Sequence, residues 1–314
     1  MTQPTCLIID PMHESIFAMM QDIGWKVEYR PEITRDEVRS IHLGFDGLIV
    51  RSKTIINADL LGESPTIKFV GRAGAGLDNV DLDYMSSKGI LVVHASEGNR
   101  DAVGEFTIGA LLSLMRNIGR ADREVRRMIW EREGNRGEEI GSKTVSIIGY
   151  GNMGQAFAKR LSGFGCKVLA YDKYKSDYSD EYVSEASLDQ IYAETDILSL
   201  HIPLTFETRF LVNEQYFNRY AKNIVFINTA RGEIVSLSAL VTAMNEGKVR
   251  GAVLDVLENE KLGTFSPLQA AAFNSLKERS NVILTPHIAG WTYESHVKIN
   301  VALVSKVKAL QLRF

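Results

Sequence analysis

Lys143-Thr-Val-Ser-Ile-Ile-Gly149-Tyr-Gly151-Asn-Met-Gly154 reads as a short apolar strand that runs into three spaced glycines and then into a helical pattern. Each glycine has a physical role in such a turn. Gly149 permits the tight bend, Gly151 lets the backbone approach a pyrophosphate, and Gly154 allows helix and strand to pack closely. The helix that follows offers free N–H groups and the positive end of its dipole to phosphates. Glycine turns alone are common, so context matters. The next strand-like run, 167–171, ends at Asp172, twenty-three residues after Gly149, where a ribose-binding acid belongs. A carboxylate there accepts hydrogen bonds from ribose hydroxyls and repels a 2′-phosphate, so NAD is the cofactor expected. Lys173 beside it leaves some tolerance for NADP open.

Short apolar, β-rich runs alternate with amphipathic stretches on both sides of this motif. Upstream they are 6–10, 47–51, 67–71 and 90–94. The glycine motif itself brings 144–149 and 167–171, and 197–200, 224–228, 252–256 and 282–285 follow. Helical periodicity occupies 102–115, 154–164 and 236–246. Strands joined through helices predict the α/β class, with doubly wound parallel sheets covered on both faces. Ten strands overload one small sheet, and 314 residues are long for one core. Two domains are therefore expected. The natural break follows His94, where a polar loop at 96–99 leads into a helical pattern through Met128. A polar, glycine-containing stretch, 131–142, then precedes the fresh βαβ start. The last segment, 292–312, reads as a helix that could close either domain.

Lys and Arg number 36 against 39 Asp and Glu, a net charge of −3. That balance argues against an electrostatic nucleic-acid binder or a polybasic membrane-surface protein. The densest charge run, 116–139, alternates in sign and reads as a solvated helix face. Cys6 and Cys166 form neither a metal-spaced cluster nor a disulfide framework. The first residues lack a basic region followed by an apolar stretch. The apolar run 106–115 is far too short to span a bilayer. A soluble, cytoplasmic, globular protein is the expectation, with no nucleic-acid or membrane partner.

Three further motifs carry chemistry: Asn228-Thr-Ala-Arg231-Gly-Glu, Leu254-Asp255-Val-Leu-Glu-Asn-Glu260 and Thr285-Pro-His287-Ile-Ala-Gly290. Each sits at a predicted strand end, where doubly wound sheets bind their ligands. The set suits oxidation of an alcohol beside a carboxylate. An arginine holds the carboxylate and polarises the neighbouring oxygen. A histidine moves the hydroxyl proton as hydride leaves. A glutamate beside the imidazole orients it and stabilises its protonated form.

With these motifs in order, and with Val50-Arg-Ser-Lys-Thr and Val70-Gly-Arg-Ala-Gly-Ala-Gly-Leu-Asp-Asn-Val-Asp81 upstream, the sequence resembles the D-isomer-specific 2-hydroxyacid dehydrogenases. It is most similar to the phosphoglycerate dehydrogenase-like members, over essentially the whole chain. The resemblance implies Arg231, Glu260 and His287 as the catalytic set. It implies that N–H groups around Gly74 and Ala75 cradle the substrate carboxylate. Gly149, Gly151, Asn152, Met153, Gly154, Asp172, His201, Pro203, Thr229, Ala230, Asp255 and Gly290 fall at cofactor-contact positions, with Asp255 near the nicotinamide carboxamide. It implies a discontinuous chain: a flavodoxin-like substrate domain of 1–95 and 289–314, and a Rossmann NAD-binding domain of 96–288. A homodimer through the NAD-binding domain is implied as well.

Arg51 follows a strand and, with Ser52, should face the cleft. In phosphoglycerate dehydrogenases the matching arginine helps bind the substrate phosphate, and Arg132 matches a second, cross-subunit one. The resemblance thus favours 3-phospho-D-glycerate and 3-phosphohydroxypyruvate, with a place in serine synthesis. Glyoxylate/hydroxypyruvate reductase is the alternative, and an NADH-sensing corepressor-like binding protein the distant one. The sequence departs from the family pattern in two places. Lys261 follows Glu260 where a proline is frequent, and a polar–apolar segment near 265–279 lengthens the stretch from Asp255 to His287. From the segment that follows the closing helix, the C-terminal regulatory domain of longer members is not expected. Of the other histidines, His13, His42 and His296 read as surface residues, and His94 and His201 as structural strand-end groups. No metal is expected, because no spacing fits a ligand set.

Overall fold

The computed structural model describes residues 3–312; the extreme ends of the expected discontinuous domain lie outside the described residues. The chain divides into two compact units, 3–100 with 291–312, and 101–290.

In the first unit, β1 (Thr5–Ile8), α1 (Ser15–Asp22), β2 (Lys26–Tyr29), α2 (Arg35–Ile41), β3 (Gly47–Val50), α3 (Ala58–Leu61), β4 (Phe69–Arg72), α4 (Leu82–Ser87) and β5 (Leu91–His94) alternate. The five strands pair in parallel in the order β2-β1-β3-β4-β5, the flavodoxin-like winding. Two-residue periodicity divides the core between the faces. Leu7, Leu48 and Val70 bury on one side, and Cys6, Ile8, Ile49 and Phe69 on the other. Burying each large aliphatic side chain contributes roughly 1.5–3 kcal/mol. The closing helix α12 (Tyr293–Ala309) starts at a Thr292/Ser295 capping box. Its Ile299, Leu303 and Val307 join the second of these faces, and its Asn300 amide donates to the His13 carbonyl at 3.0 Å. The helix therefore belongs to this unit.

The second unit begins in α5 (Arg100–Met115) and continues through α6 (Ile118–Arg126), β6 (Thr144–Ile148), α7 (Asn152–Leu161), β7 (Lys167–Tyr171) and β8 (Ser184–Glu185). It goes on with α8 (Leu188–Glu194), β9 (Ile197–Leu200), α9 (Glu214–Asn218), β10 (Ile224–Asn228), α10 (Leu237–Asn245), β11 (Val249–Leu254), α11 (Pro267–Lys277) and β12 (Val282–Leu284). Strand order is β12-β11-β10-β9-β6-β7-β8, all parallel. Counted from β6, this is the 3-2-1-4-5-6 Rossmann winding with one strand added at the far edge. The sheet reverses beside β6, so the glycine turn opens at the switch point.

Several sequence-based expectations need correction. The structure adds two strands, β2 and β8; both lie at sheet edges, are largely exposed and lack an apolar run. The helical pattern through Met128 breaks at Asn117, which takes φ +53, and resumes as α6 only to Arg126. The segment near 265–279 is a regular helix, α11, with Pro267 in its first turn and a Ser266/Gln269 capping box. His42 is buried rather than at the surface. Its two ring nitrogens lie 2.9 Å from the Arg39 carbonyl and 3.1 Å from the Leu61 carbonyl. His296 is half-buried, edge-on to the Trp291 ring at 4.8 Å between centroids.

Candidate active site

The glycine turn has the close packing its sequence demands. Gly149 takes φ +94, and a Cβ there would lie 2.6 Å from the His201 carbonyl oxygen. A Cβ on Gly154 would meet the Gly149 carbonyl at 2.2 Å, whereas Gly151 faces open space. That combination suits a pyrophosphate at the start of α7, which opens with Asn152 and Met153. Asp172 closes the turn from β7. One carboxylate oxygen accepts from the Tyr150 N–H at 2.9 Å, and the other from the Tyr174 N–H at 3.0 Å. Lys173 is paired with Glu207. His201 accepts or donates at Ser199 Oγ, 2.9 Å away, and burial pushes its imidazole down to about 3. It is therefore neutral near pH 7. Pro203 lies on the loop beyond it, its carbonyl accepting from Thr208 at 2.7 Å.

At the end of β10, Asn228 is buried and folds its side chain over the next turn. Its Oδ1 accepts from the Ala230 N–H and its Nδ2 donates to the Arg231 carbonyl, each at 3.0 Å. Thr229 is buried beside Thr107, with 3.4 Å between the hydroxyls. Arg231 donates to the Ala230 carbonyl at 2.7 Å.

His287 is held in the left-handed region, φ +57, a conformation that costs a non-glycine residue energy and is common at functional sites. Asp255, buried at the end of β11, holds it there. Its carboxylate accepts from the Thr285 hydroxyl at 2.6 Å and from the Ile288 and Ala289 N–H groups at 2.9 and 2.8 Å. Its backbone carbonyl accepts from the His287 N–H at 2.7 Å. Three of the four acceptor positions on that carboxylate are thus filled from within the turn, which ends at Gly290. The His287 ring then presents Nδ1 to both Glu260 oxygens, at 3.0 and 3.1 Å. The pair is half-exposed, so it adds little to stability; what it fixes is the orientation of the imidazole. A carboxylate on Nδ1 leaves Nε2 to exchange a proton with a ligand.

The residues singled out in the first unit form a different kind of surface. Gly74 takes φ +143, and its N–H donates to the Arg72 carbonyl at 3.0 Å. The expected anion cradle thus has one donor already engaged. The Ala75 N–H donates to no backbone carbonyl among the described residues. The Arg51 guanidinium lies 4.5 Å from the centroid of the Trp291 ring and donates to the Pro11 carbonyl at 3.3 Å. Ser52 is exposed. Arg132, in the second unit, is also exposed, one residue before the turn Glu133–Asn135.

Among the described residues, no cluster of His, Cys, Asp and Glu could hold a metal ion. No helix is long and apolar enough to cross a membrane. The structure adds Asn228 and Glu258 to the residues that shape the site. An asparagine at a strand end, three residues before an arginine, is a legible signal for a side-chain-capped turn; Glu258 carries no comparable signal.

Residues 108–289 match the family model for the D-isomer specific 2-hydroxyacid dehydrogenase, NAD binding domain. The chain belongs to this family. The matched region is its NAD-binding domain, and the glycine turn and Asp172 fit that cofactor. The chain is 33% identical over 305 residues to D-3-phosphoglycerate dehydrogenase from Methanocaldococcus jannaschii, covering 96% of this chain and 56% of that relative. It is 36% identical over 277 residues to hydroxypyruvate reductase from Thermotoga maritima, covering 88% of each. It thus spans little more than half the length of the phosphoglycerate dehydrogenase relatives it matches. Among solved structures, D-lactate dehydrogenase from Aquifex aeolicus, complexed with NAD and lactic acid, superposes with a TM-score of 0.82 at 29% identity. That match covers 98% of this chain and 95% of the other.

Proposed function

We propose that this family member is an NAD-dependent dehydrogenase that interconverts a small D-2-hydroxy acid and its 2-oxo acid. The observation that carries the proposal is the His287–Glu260 contact, set on a strained turn that the buried Asp255 anchors. NAD, when bound, supplies the hydride acceptor for the substrate carbon. Residues of the glycine turn, with Asp172, Thr229 and Ala230, would hold it. Arg231 would bind the substrate carboxylate and polarise the oxygen on the neighbouring carbon. His287 Nε2 would take the hydroxyl proton in oxidation and return it in reduction. Glu260 would keep Nδ1 protonated and offset the charge of the imidazolium.

The first unit would act as the substrate domain, with the Ala75 N–H among the donors to the substrate carboxylate. Arg51 and Ser52, with Arg132 contributed across the dimer, would contact a phosphate on the far end of the substrate, which favours 3-phospho-D-glycerate and a place in serine synthesis. The hydroxypyruvate reductase reading has its own support. The relative so named matches over 88% of both chains, and in this chain Arg51 already rests on Trp291. Initial rates with 3-phospho-D-glycerate, D-glycerate and D-lactate at equal concentration separate the two. A kcat/KM advantage of roughly tenfold for the phosphorylated acid, about 1.4 kcal/mol, supports the phosphate site. Equal rates, or faster reduction of glyoxylate and hydroxypyruvate, return Arg51 and Arg132 to the surface.

A homodimer through the NAD-binding unit is part of the proposal. Just beyond α6, Met128, Ile129 and Trp130 are exposed in the single chain, Met128 and Trp130 by 93% and 80%, and Ile118 and Val125 are exposed on α6 itself. Large apolar side chains exposed over one stretch suit burial against a second copy.

A further inference from the structure

Glu258 lies two residues before Glu260, yet its side chain turns into the body of the second unit. One oxygen accepts from the Leu237 N–H at the start of α10, and the other from the Gln269 side-chain amide on α11, each at 3.0 Å. Gln269 is itself fixed, because its carbonyl oxygen accepts from the Ser266 N–H at 3.1 Å in the α11 capping box. The amide orientation is therefore set from both sides.

Backbone packing tightens the same junction. A Cβ on Gly232 would lie 1.8 Å from the Leu257 carbonyl oxygen and 2.8 Å from the Glu258 nitrogen. The turn that carries Arg231 is pressed directly against the peptide that leads to Glu260. Further along, Asn259 Oδ1 accepts from the Lys261 N–H at 2.9 Å, which fixes the chain on the other side of Glu260. α11 stands on α10 through Ala272 and Leu276, packed in one cluster with Leu240 and Met244.

We propose that Glu258 is a positioning residue that locks the Arg231 turn, the Glu260 loop and α11 into one register. The length added between Asp255 and His287 thereby acquires a structural purpose, since α11 supplies the donor that holds the loop. The inference rests on the dehydrogenase reading above only for its effect on rate. The hollow beside the carboxylate is lined by Phe210, Leu268 and Ala272 with Ser236 and Ser238, whose hydroxyls already pair with each other at 3.0 Å. Loss of the carboxylate frees the loop instead of repacking it.

The test uses the full chain with Glu258→Ala, Glu258→Gln, Gln269→Ala and the Glu258→Ala/Gln269→Ala double variant. Displacing a catalytic loop by a fraction of an ångström to one ångström costs up to about 100-fold. Glu258→Ala is accordingly expected to lower kcat/KM for the acid about 10- to 100-fold, mainly in kcat, while the Kd for NADH stays within about twofold. Glu258→Gln retains one acceptor and should recover part of the loss; it also serves if the alanine variant fails to fold. The double variant should be no slower than Glu258→Ala, since both substitutions remove one shared contact. Hydrogen exchange of segments 229–240 and 256–266 gives a readout independent of turnover, and both should exchange faster in Glu258→Ala. Unchanged exchange, faster exchange with unchanged kcat/KM, or additive losses in the double variant would overturn the proposal. If the native chain forms no NADH from any D-2-hydroxy acid, the dehydrogenase reading fails, and exchange alone then decides the clamp.

Discussion

At the ends of β10, β11 and β12 the second unit presents Arg231, Glu260 and His287, each beside a turn whose N–H groups donate to Asn228, Glu258 or Asp255. At the ends of β3 and β4 the first unit presents Arg51 resting on an indole and a glycine backbone at φ +143. Both sheets are parallel and doubly wound, so winding does not explain the contrast. On the proposed function it lies in what each surface would do. Proton transfer needs a side chain held to a fraction of an ångström, which the fixed donors and acceptors around His287 would provide. Recognition of an anion needs N–H groups and a cation, which tolerate looser placement. One unit should therefore respond to substitution mainly in kcat, and the other mainly in KM.

The largest expected effect probes the rigid side. His287→Asn should lower kcat by about 10²–10⁴ and leave NADH binding intact, as steady-state rates and calorimetric titration would show. A near-native kcat would break the contrast at its root. Asp255→Ala should come next, because it strands the Ala289 N–H inside the protein and removes the support of a strained turn. Stability should fall by about 2–4 kcal/mol, measured by denaturant unfolding, with kcat falling as well. An unchanged unfolding midpoint would mean that the turn holds itself.

Arg51→Met sharpens the comparison from the other unit. It keeps an apolar stem against Trp291 but removes the charge, so KM for a phosphorylated acid should rise about 10- to 100-fold with kcat little changed. A loss confined to kcat would place Arg51 with the proton-transfer groups.

The smallest effect concerns His201. Burial pushes its imidazole down from the usual 6.5 to about 3 in the folded chain. Between those values the unfolded chain binds more protons, so this contribution to stability is complete above pH 6.5 and fades as pH falls toward 3. His201→Gln should flatten the pH dependence of Tm across that window. An unaltered slope would show that the ring is more solvated than its packing against Phe157, at 5.4 Å, implies.

The same contrast governs what could be read without coordinates. The β6 glycine turn and Asp172 were legible because residue type and spacing carry their roles, whereas Arg231, Glu260 and His287 were singled out together through resemblance to the family. The strands that frame them were legible because central parallel strands are continuous apolar runs. Edge strands β2 and β8 have no such run. His42 looks like a surface residue in its local sequence, yet it is buried with its ring nitrogens 2.9 and 3.1 Å from two carbonyl oxygens. Glu258 stays hidden for a related reason. Nothing in Glu-Asn-Glu says which carboxylate faces the imidazole and which turns inward to a helix N-terminus, until the chain folds and Gln269 arrives from α11. The positive φ at His287 is likewise a tertiary property, imposed by Asp255 thirty-two residues earlier in the chain.

Hydride transfer from the D isomer of a 2-hydroxy acid, with His287 as the proton acceptor, is the step on which the proposed function stands. The most direct measurement is NADH formation at alkaline pH from paired D and L acids, phosphorylated and not, with native protein and with His287→Asn. NADH is expected from at least one D acid and none from its L partner, with that signal lost in the variant while NAD still binds. Turnover of an L acid, or equal rates from the native chain and the variant, would contradict it.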